Sequence, residues 1–202
     1  EALDWLSKPG KRRWGEYHKC TDLKIEALEK LNRKPEAQAE RIACFKQTLS
    51  LEHLRDYLKY LPDFEDFEAE REAIAHAEAF PDILTALSFL VQWPDLEAAS
   101  RLVIGRESEI DGESYDILNF AGEHLSEKYP DAATRIYRRK VESVLGRGAS
   151  KYYHHAARDL GHCAYLSKHI APTPNFPNHE TYVLGLREKH GRKHSFWAQV
   201  EK

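Results

Sequence analysis

The stretch Pro-Asp-Ile-Leu-Thr-Ala-Leu-Ser-Phe-Leu-Val-Gln-Trp at positions 81–93 decides the fold class of this chain. Its apolar residues fall on nearly every side of a helix with 3.6 residues per turn, whereas a half-buried strand would alternate apolar and polar residues. Proline is favoured in the first turn of a helix, which suits Pro81. The stretch therefore predicts a helix buried at the centre of the domain.

Outward from this stretch, Pro, Ser, Asn and Gly separate shorter segments with the same helical spacing, and no segment shows the sustained alternation of a strand. Apolar spacing predicts that Leu23, Leu31, Phe64 and Phe67 point inward. The further helices are expected near 16–31, 35–48, 51–61, 64–77, 94–107, 114–127, 130–146, 149–170 and 178–190.

Paired helices of this length with short connections are typical of stacked helical repeats. The fold class predicted is all-α, an irregular tetratricopeptide-like helical-repeat solenoid of about ten helices. We expect residues 1–202 to form a single domain, a C-terminal fragment of a longer chain. Residues 171–202 are expected to supply a stiff loop with Pro172, Pro174 and Pro177, a last helix and a C-terminal tail.

Composition excludes several classes of protein. The chain has 202 residues, of which 42% are hydrophobic and 31% charged, as in an ordinary water-soluble domain. No apolar run approaches the roughly 20 residues of a membrane span, so no membrane contact is expected. Cys20, Cys44 and Cys163 are far apart in apolar helical patterns, which argues against disulfides and against a cysteine-type zinc site. These features favour the cytoplasm and imply no cofactor.

Charge is unevenly distributed along the chain. Residues 135–202 hold 13 Lys and Arg against 5 Asp and Glu, whereas the preceding residues hold 17 against 28. Seven of the eleven His also lie in this basic third. Such a region attracts anionic groups, whether on a protein, on phosphate or on nucleic acid.

Three strings carry a resemblance to a known family: Leu-Pro-Asp-Phe-Glu-Asp-Phe-Glu-Ala-Glu (61–70), Ala-Leu-Ser-Phe-Leu-Val-Gln-Trp-Pro-Asp-Leu (86–96), and Tyr-His-His-Ala-Ala-Arg-Asp-Leu (153–160) with His-Gly-Arg-Lys-His-Ser-Phe-Trp (190–197). In this order they resemble the C-terminal half of a bacterial family of helical-repeat proteins known only as a domain of unknown function. The resemblance runs over nearly the whole chain. It implies a cytoplasmic bacterial protein and brings no activity or catalytic residue.

The predicted helix 149–170 carries the candidate site. Its apolar face is formed by Tyr152, Ala156, Leu160, Cys163, Leu166 and Ile170. The opposite, polar side supplies the ligand-binding candidates Lys151, His154, His155, Arg158, Asp159 and His162.

Three interpretations of this polar side stay open, and the first is a groove that binds an anion or a peptide. His155, Asp159 and His162 stand at i, i+4 and i+7, so that two imidazoles and a carboxylate can converge on one metal ion. In the third, these groups cap and pair with the neighbouring helix, and Asp159 bonds to a His or Arg there.

A second cationic set is Arg135, Arg138, Arg139, Lys140, Arg147, Lys151 and Arg158, which would form one basic surface on adjacent helices. No nucleic-acid-binding motif or aromatic stacking array accompanies it, so nucleic acid is disfavoured. The ending Gly-Arg-Lys-His-Ser-Phe-Trp (191–197) predicts that two aromatic rings dock into the domain's own core, or else onto a partner. No phosphate loop, nucleophile elbow or His-Glu-x-x-His motif is present.

The leading functional expectation is a helical-repeat module that binds a protein or peptide partner, or a second copy of itself. The alternatives are a metal-binding or hydrolytic centre on helix 149–170, and nucleic-acid binding through the basic third. An enzyme is disfavoured and no catalytic residue is assigned.

Overall fold

The computed structural model describes residues 14–171 and 176–201, with side chains from residue 18 onward. Within these ranges the chain is all-α and contains no strand, so the fold class predicted at the level of secondary structure is confirmed. The eleven α-helices of the described ranges are α1 (Trp14–Lys30), α2 (Lys34–Thr48), α3 (Leu51–Lys59), α4 (Glu65–Glu78), α5 (Ile83–Gln92), α6 (Leu96–Gly105), α7 (Tyr115–Ser126), α8 (Pro130–Arg147), α9 (Tyr153–Leu166), α10 (His179–His190) and α11 (His194–Val200).

The chain divides into two compact units, Glu1–Phe80 and Pro81–Lys202. Among the described helices of both units, none is long and apolar enough to cross a membrane.

In the first unit, α1, α2 and α3 pack consecutively against one another, and α4 packs on α3. Asn32 takes the left-handed conformation, with a φ of 56°, between α1 and α2. Leu49, also left-handed, separates α2 from α3 so tightly that Ser50 caps α3 by accepting a hydrogen bond from the backbone N–H of His53. These short connections bring residues of three successive helices close together.

Four inward assignments in the first unit are wrong. Leu23 and Leu31 are exposed, because α1 turns Ile25 and Leu28 toward Ala37 of α2 instead. Phe64 and Phe67 are exposed as well. The reason is that α4 begins only at Glu65 and buries its small residues, Ala73 and Ala77.

In the second unit, α5 confirms that the stretch 81–93 forms a buried helix. Asp82 caps it by accepting hydrogen bonds from the backbone N–H groups of Leu84 and Thr85. Ala86, Leu87 and Leu90 are fully buried. Helices α5 to α8 pack in sequence, and α5 also packs on α7, and α6 on α8.

Gly112, in the loop before α7, sits against the backbone of α8. A Cβ at this position would lie 2.4 Å from the carbonyl oxygen of Arg139 and 2.7 Å from the Cβ of Ser143. Only glycine allows this close approach of loop and helix.

The predicted helix 149–170 is interrupted at both ends. Ser150–Tyr152 and Ser167–His169 are 3-10 turns, and only α9 between them is α-helical. Pro172 and Pro174 lie outside the described residues. The tail predicted after the last helix is instead a further helix, α11, which follows α10 after a short turn.

Candidate functional site

Helix α9 is held on two sides, because it packs on α8 and on α11. Its predicted apolar face is largely confirmed: Ala156, Leu160, Cys163 and Leu166 are buried. Burial raises the pKa of the Cys163 thiol to about 12, so this thiol is a core group and not a nucleophile. The orientation of α9 therefore leaves one side of the helix for the candidate residues.

Asp159 does not lie on the exposed stripe where helical spacing placed it, and this expectation is corrected. Its side chain is buried and its Oδ2 pairs with the Nζ of Lys140 at 2.8 Å. The arc of α9 that α8 and α11 cover is wide enough to include position 159. The predicted pairing with a neighbouring helix holds, but the partner is a lysine of α8.

Lys140 is itself buried, and its ammonium is shared between three groups. Besides Asp159, its Nζ donates to the Oδ1 of Asn119 on α7 and lies 5.2 Å from the centre of the Tyr137 ring. Lys140 was predicted to lie on a basic surface. The sequence does contain a sign of its burial, because Lys140 lies on the side of α8 that carries Tyr137, Val141 and Val144, and these residues are buried too.

The three histidines among the candidates have different surroundings. The rings of His154 and His155 lie 3.9 Å apart between centroids. Burial, the charge of His154 and that of Arg158 lower the pKa of His155, so its neutral form is favoured. His162 is exposed and stacks on the Tyr137 ring at 5.1 Å, with an angle of 18° between planes.

The remaining candidates share one exposed surface, which we call the α9 face: Lys151, His154, Arg158 and His162. Arg158 keeps 58% of its side-chain surface exposed and lies 4.0 Å from the Oδ1 of Asp159. Between Glu142 and Glu180 the sequence contains no acidic residue other than Asp159. Because that carboxylate is buried against Lys140, the α9 face has no exposed negative charge on its own segment.

The ligand atoms of His155, Asp159 and His162 do not form a close group. In residues 14–171 and 176–201, the one set of three metal-ligating side chains with ligand atoms within 4.8 Å of one another is His18, Cys44 and His53, in the first unit. This set is not predictable from the sequence, because its members come from three different helices and have no motif spacing.

The predicted basic surface is largely neutralised or covered. Arg135 pairs with Asp131 and Glu107, and Arg147 pairs with Glu113 at 3.0 Å. Arg138 is buried between the rings of Phe176 and Tyr182, which lowers its pKa. Lys140 is buried, as described above, and Arg139 bonds the carbonyl oxygen of Ile110. Of the seven residues, Lys151 and Arg158 remain on the α9 face.

The two C-terminal aromatic residues dock into the core of their own unit, as one of the two predictions had it. Phe196 is fully buried and meets the Tyr153 ring edge-on. Trp197 donates its indole N–H to the carbonyl oxygen of His190 at 3.0 Å, and Arg187 covers its ring. These rings therefore anchor α11 on α9.

Fold and site together define an all-α protein with a cationic helix face and a buried ion pair beneath it. Comparison with protein families matches residues 1–199 to a family described as a family of unknown function (DUF6880). The chain belongs to this family. Comparisons with curated proteins and with solved structures gave no match. Family membership assigns no activity, so function has to be argued from the residues.

Proposed function

We propose that this chain is a cytoplasmic protein-interaction module with tetratricopeptide-like stacking of helices, and that its α9 face binds an acidic segment of a partner protein. The packing of α5 on α7 and of α6 on α8, in addition to that of sequence neighbours, supports the stacking. Free cysteines at 20, 44 and 163 support a reducing compartment.

One observation carries the choice of ligand. The only carboxylate of α9 is buried and pairs with Lys140 at 2.8 Å, whereas Arg158 lies 4.0 Å from it and keeps 58% of its side-chain surface exposed, so most of the positive charge of Lys151 and Arg158 faces solvent. Arginine and lysine on an exposed helix favour carboxylate groups through charge-assisted hydrogen bonds. A glutamate-rich peptide segment supplies such groups in a row.

An acidic peptide also fits the α9 face better than a metal ion or a nucleic acid does. A metal or hydrolytic centre of His155, Asp159 and His162 would have to take Asp159 from Lys140, at a considerable cost in buried charge. A nucleic-acid site would need the wider basic surface, most of whose arginines are paired.

The test is binding of a fluorescent glutamate-rich peptide to the whole chain. Reversing both charges, Lys151→Glu with Arg158→Glu, should raise the dissociation constant about tenfold or more, equivalent to about 1.4 kcal/mol. Binding to the unchanged chain should weaken as salt is added, because exposed charges are screened.

The control variant reverses Arg71 of α4, which is exposed and pairs with Glu68 one turn earlier in the same helix. Arg71→Glu should leave the peptide affinity unchanged. A loss in Arg71→Glu half as large in free energy as that of the double variant would mean that net charge alone acts, because the control changes half as much charge. Stronger binding of an RNA or DNA oligonucleotide than of the peptide would replace this proposal by the nucleic-acid one.

A further inference from the structure

The first unit brings three side chains of metal-binding type to one point. His18 lies on α1, Cys44 on α2 and His53 on α3, and one ligand atom of each lies within 4.8 Å of the others. Cys44 and His53 are buried, whereas His18 is half-buried. Three helices that are successive in the chain therefore converge here, in a region that the proposed function does not use.

A carboxylate stands beside His53 in this group. Asp22 lies one turn after His18 on α1, and its Oδ1 is 3.2 Å from the Nε2 of His53. The Sγ of Cys44 is 3.9 Å from the Nδ1 of His18. In a tetrahedral zinc site with bonds of about 2.0 to 2.3 Å, neighbouring ligand atoms are about 3.3 to 3.8 Å apart. The two separations of 3.2 and 3.9 Å lie just outside either end of this range, and the ligand atoms of His18, Cys44 and His53 lie within 4.8 Å of one another, so small side-chain movements bring them to a common ion.

The group behind His53 also suits a metal ligand. Its other ring nitrogen, Nδ1, lies 2.8 Å from the Oγ of Ser50, the residue that caps α3. A histidine that binds a metal commonly donates its second ring N–H to an oxygen, which fixes the tautomer and the direction of the ring. Ser50 provides that oxygen and leaves the lone pair of Nε2 directed at Asp22 and the cluster.

An approach for a cation is present on the solvent side. Asp22 and His53 line a cavity of about 210 Å³ together with the acidic residues Glu26, Glu29, Glu52 and Asp56. Arg41 is the one basic residue of the lining, and it pairs with Glu29. Clefts lined by one sign of charge concentrate the opposite ion, here a cation.

A metal-free reading explains only part of this arrangement. In it, the Ser50 hydroxyl donates to Nδ1 of His53, and Nε2–H donates to Asp22. This accounts for two of the four groups. For the other two, the Cys44 thiol makes long, weak contacts of 3.9 Å with the Nδ1 of His18 and with the Oγ1 of Thr48.

We propose that His18, Cys44, His53 and Asp22 bind one Zn²⁺ ion, or a similar borderline-soft divalent ion, in a four-coordinate site that ties α1, α2 and α3 together. A thiolate with two imidazoles selects such ions over Mg²⁺ and Ca²⁺. Four protein ligands fill a tetrahedral shell, which is the arrangement of structural sites. On binding, the metal replaces the thiol proton of Cys44, which passes to the solvent.

The experiment uses Co²⁺ as a spectroscopic probe, added to the whole, metal-stripped and reduced chain. We expect one equivalent to bind with the intense visible bands of tetrahedral cobalt and a near-ultraviolet thiolate-to-cobalt band. Zn²⁺ should displace the cobalt and raise the melting temperature, because a ligand that binds only the folded state stabilises it.

Two variants locate the site, and one serves as control. Cys44→Ser should remove the thiolate band while the helical circular dichroism persists. His18→Ala, at a half-buried position, should weaken Co²⁺ binding by more than about tenfold, since even changes in the residues behind the ligands commonly cost that much, and circular dichroism checks that the variant is folded. Cys20→Ser, on α1 but outside the cluster, should leave spectrum and affinity unchanged. Absence of a thiolate band in the unchanged chain, or its persistence in Cys44→Ser, would overturn the proposal.

Discussion

At the level of single residues, the buried contact between Lys140 and Asp159 affects both the packing of α9 on α8 and the charge of the α9 face. Both side chains are nearly inaccessible to solvent, and their charged atoms lie 2.8 Å apart. Neither charge is tolerable there alone, because an uncompensated ion in the interior loses its hydration without a partner. The pair thus fixes the register of α9 against α8, and it removes a negative charge from the α9 face.

This pair gives a prediction for unfolding. Lys140→Met should lower the free energy of unfolding by about 3 to 5 kcal/mol, because the buried Asp159 loses its close partner and keeps only the more distant Arg158 at 4.0 Å. The double variant Lys140→Met with Asp159→Leu should recover most of that loss, since it removes both charges. Urea unfolding measures both. Losses that simply add in the double variant would contradict the pairing.

The candidate residues could be found from the sequence, but not their environments. Helical spacing correctly put Ala156, Leu160 and Cys163 inside, because apolar periodicity reports one buried arc. It could not tell how wide that arc is, since the width depends on two neighbouring helices. Asp159 lies at the edge of this arc, where the long side chain of Lys140 from α8 compensates the buried negative charge.

At the level of elements, α5 is stabilised both by a capping residue at its start and by core residues along its length. Asp82 satisfies two free N–H groups at the start of the helix, while Leu87 and Leu90 fill the interior. Ser114 stands at the same position before α7, but its side chain makes no capping hydrogen bond. Substitutions at Asp82 and Ser114 therefore compare a helix start with a capping hydrogen bond and one without.

We expect Asp82→Ala to cost about 0.5 to 2 kcal/mol of stability, because a capping bond is lost. Ser114→Ala should change stability by less than about 0.5 kcal/mol, as surface substitutions do. Chemical denaturation compares them. Similar costs for both would mean that the hydrogen bonds of Asp82 contribute nothing.

Within the same helix, Leu87→Ala and Leu90→Ala should each cost about 2 to 5 kcal/mol, since each leaves a cavity in packed surroundings. Leu184→Ala, on the exposed side of α10, is the control and should cost far less. The midpoint of urea unfolding is the measurement. An unchanged midpoint for either buried leucine would contradict the core position of α5.

Element boundaries were predictable where a residue enforces them. Asn32, Pro35, Ser50 and Pro130 all stand at helix ends as their backbone chemistry requires. At both ends of the predicted helix 149–170 the α-helix gives way to 3-10 turns, and Tyr152, which precedes α9, makes no side-chain capping hydrogen bond. Helix α11 was missed because its seven residues are too few to show a period, and packing of Phe196 and Trp197 stabilises it instead.

At the scale of the whole molecule, several histidines respond to acid in the same sense. Burial lowers the pKa values of His155, His179 and His190, with nearby cations adding to the effect. The unfolded chain then takes up protons at a higher pH than the folded chain does. Stability should consequently fall as pH drops below about 6.5 toward the lowered values.

We therefore expect the urea midpoint to be lower at pH 5.5 than at pH 7.5. The combined variant His179→Gln with His190→Gln should show a smaller difference between the two pH values, because two of the groups no longer titrate. His124→Gln, on the exposed part of α7, should retain the full difference. If the combined variant retained it as well, these two histidines would not be responsible.

At the scale of the whole molecule, the charged face could be predicted from the sequence, whereas the cluster of metal-binding side chains could not. Charge blocks and the absence of motifs are visible in one dimension, and they led to the α9 face. The convergence of His18, Cys44 and His53 depends on how three helices pack, which includes a left-handed Leu49 that no propensity favours. Sites of that kind become visible only in three dimensions.

Gly112 has a consequence for the evolutionary history of the fold. The loop before α7 touches the backbone of α8 at this residue, so mutation to any other amino acid forces two segments apart. Selection can accept such a change only together with a compensating change in the loop or in α8. Among descendants of a common ancestor, we therefore expect a glycine at position 112 wherever the loop keeps its length. Where the glycine has been lost, we expect an insertion or deletion nearby.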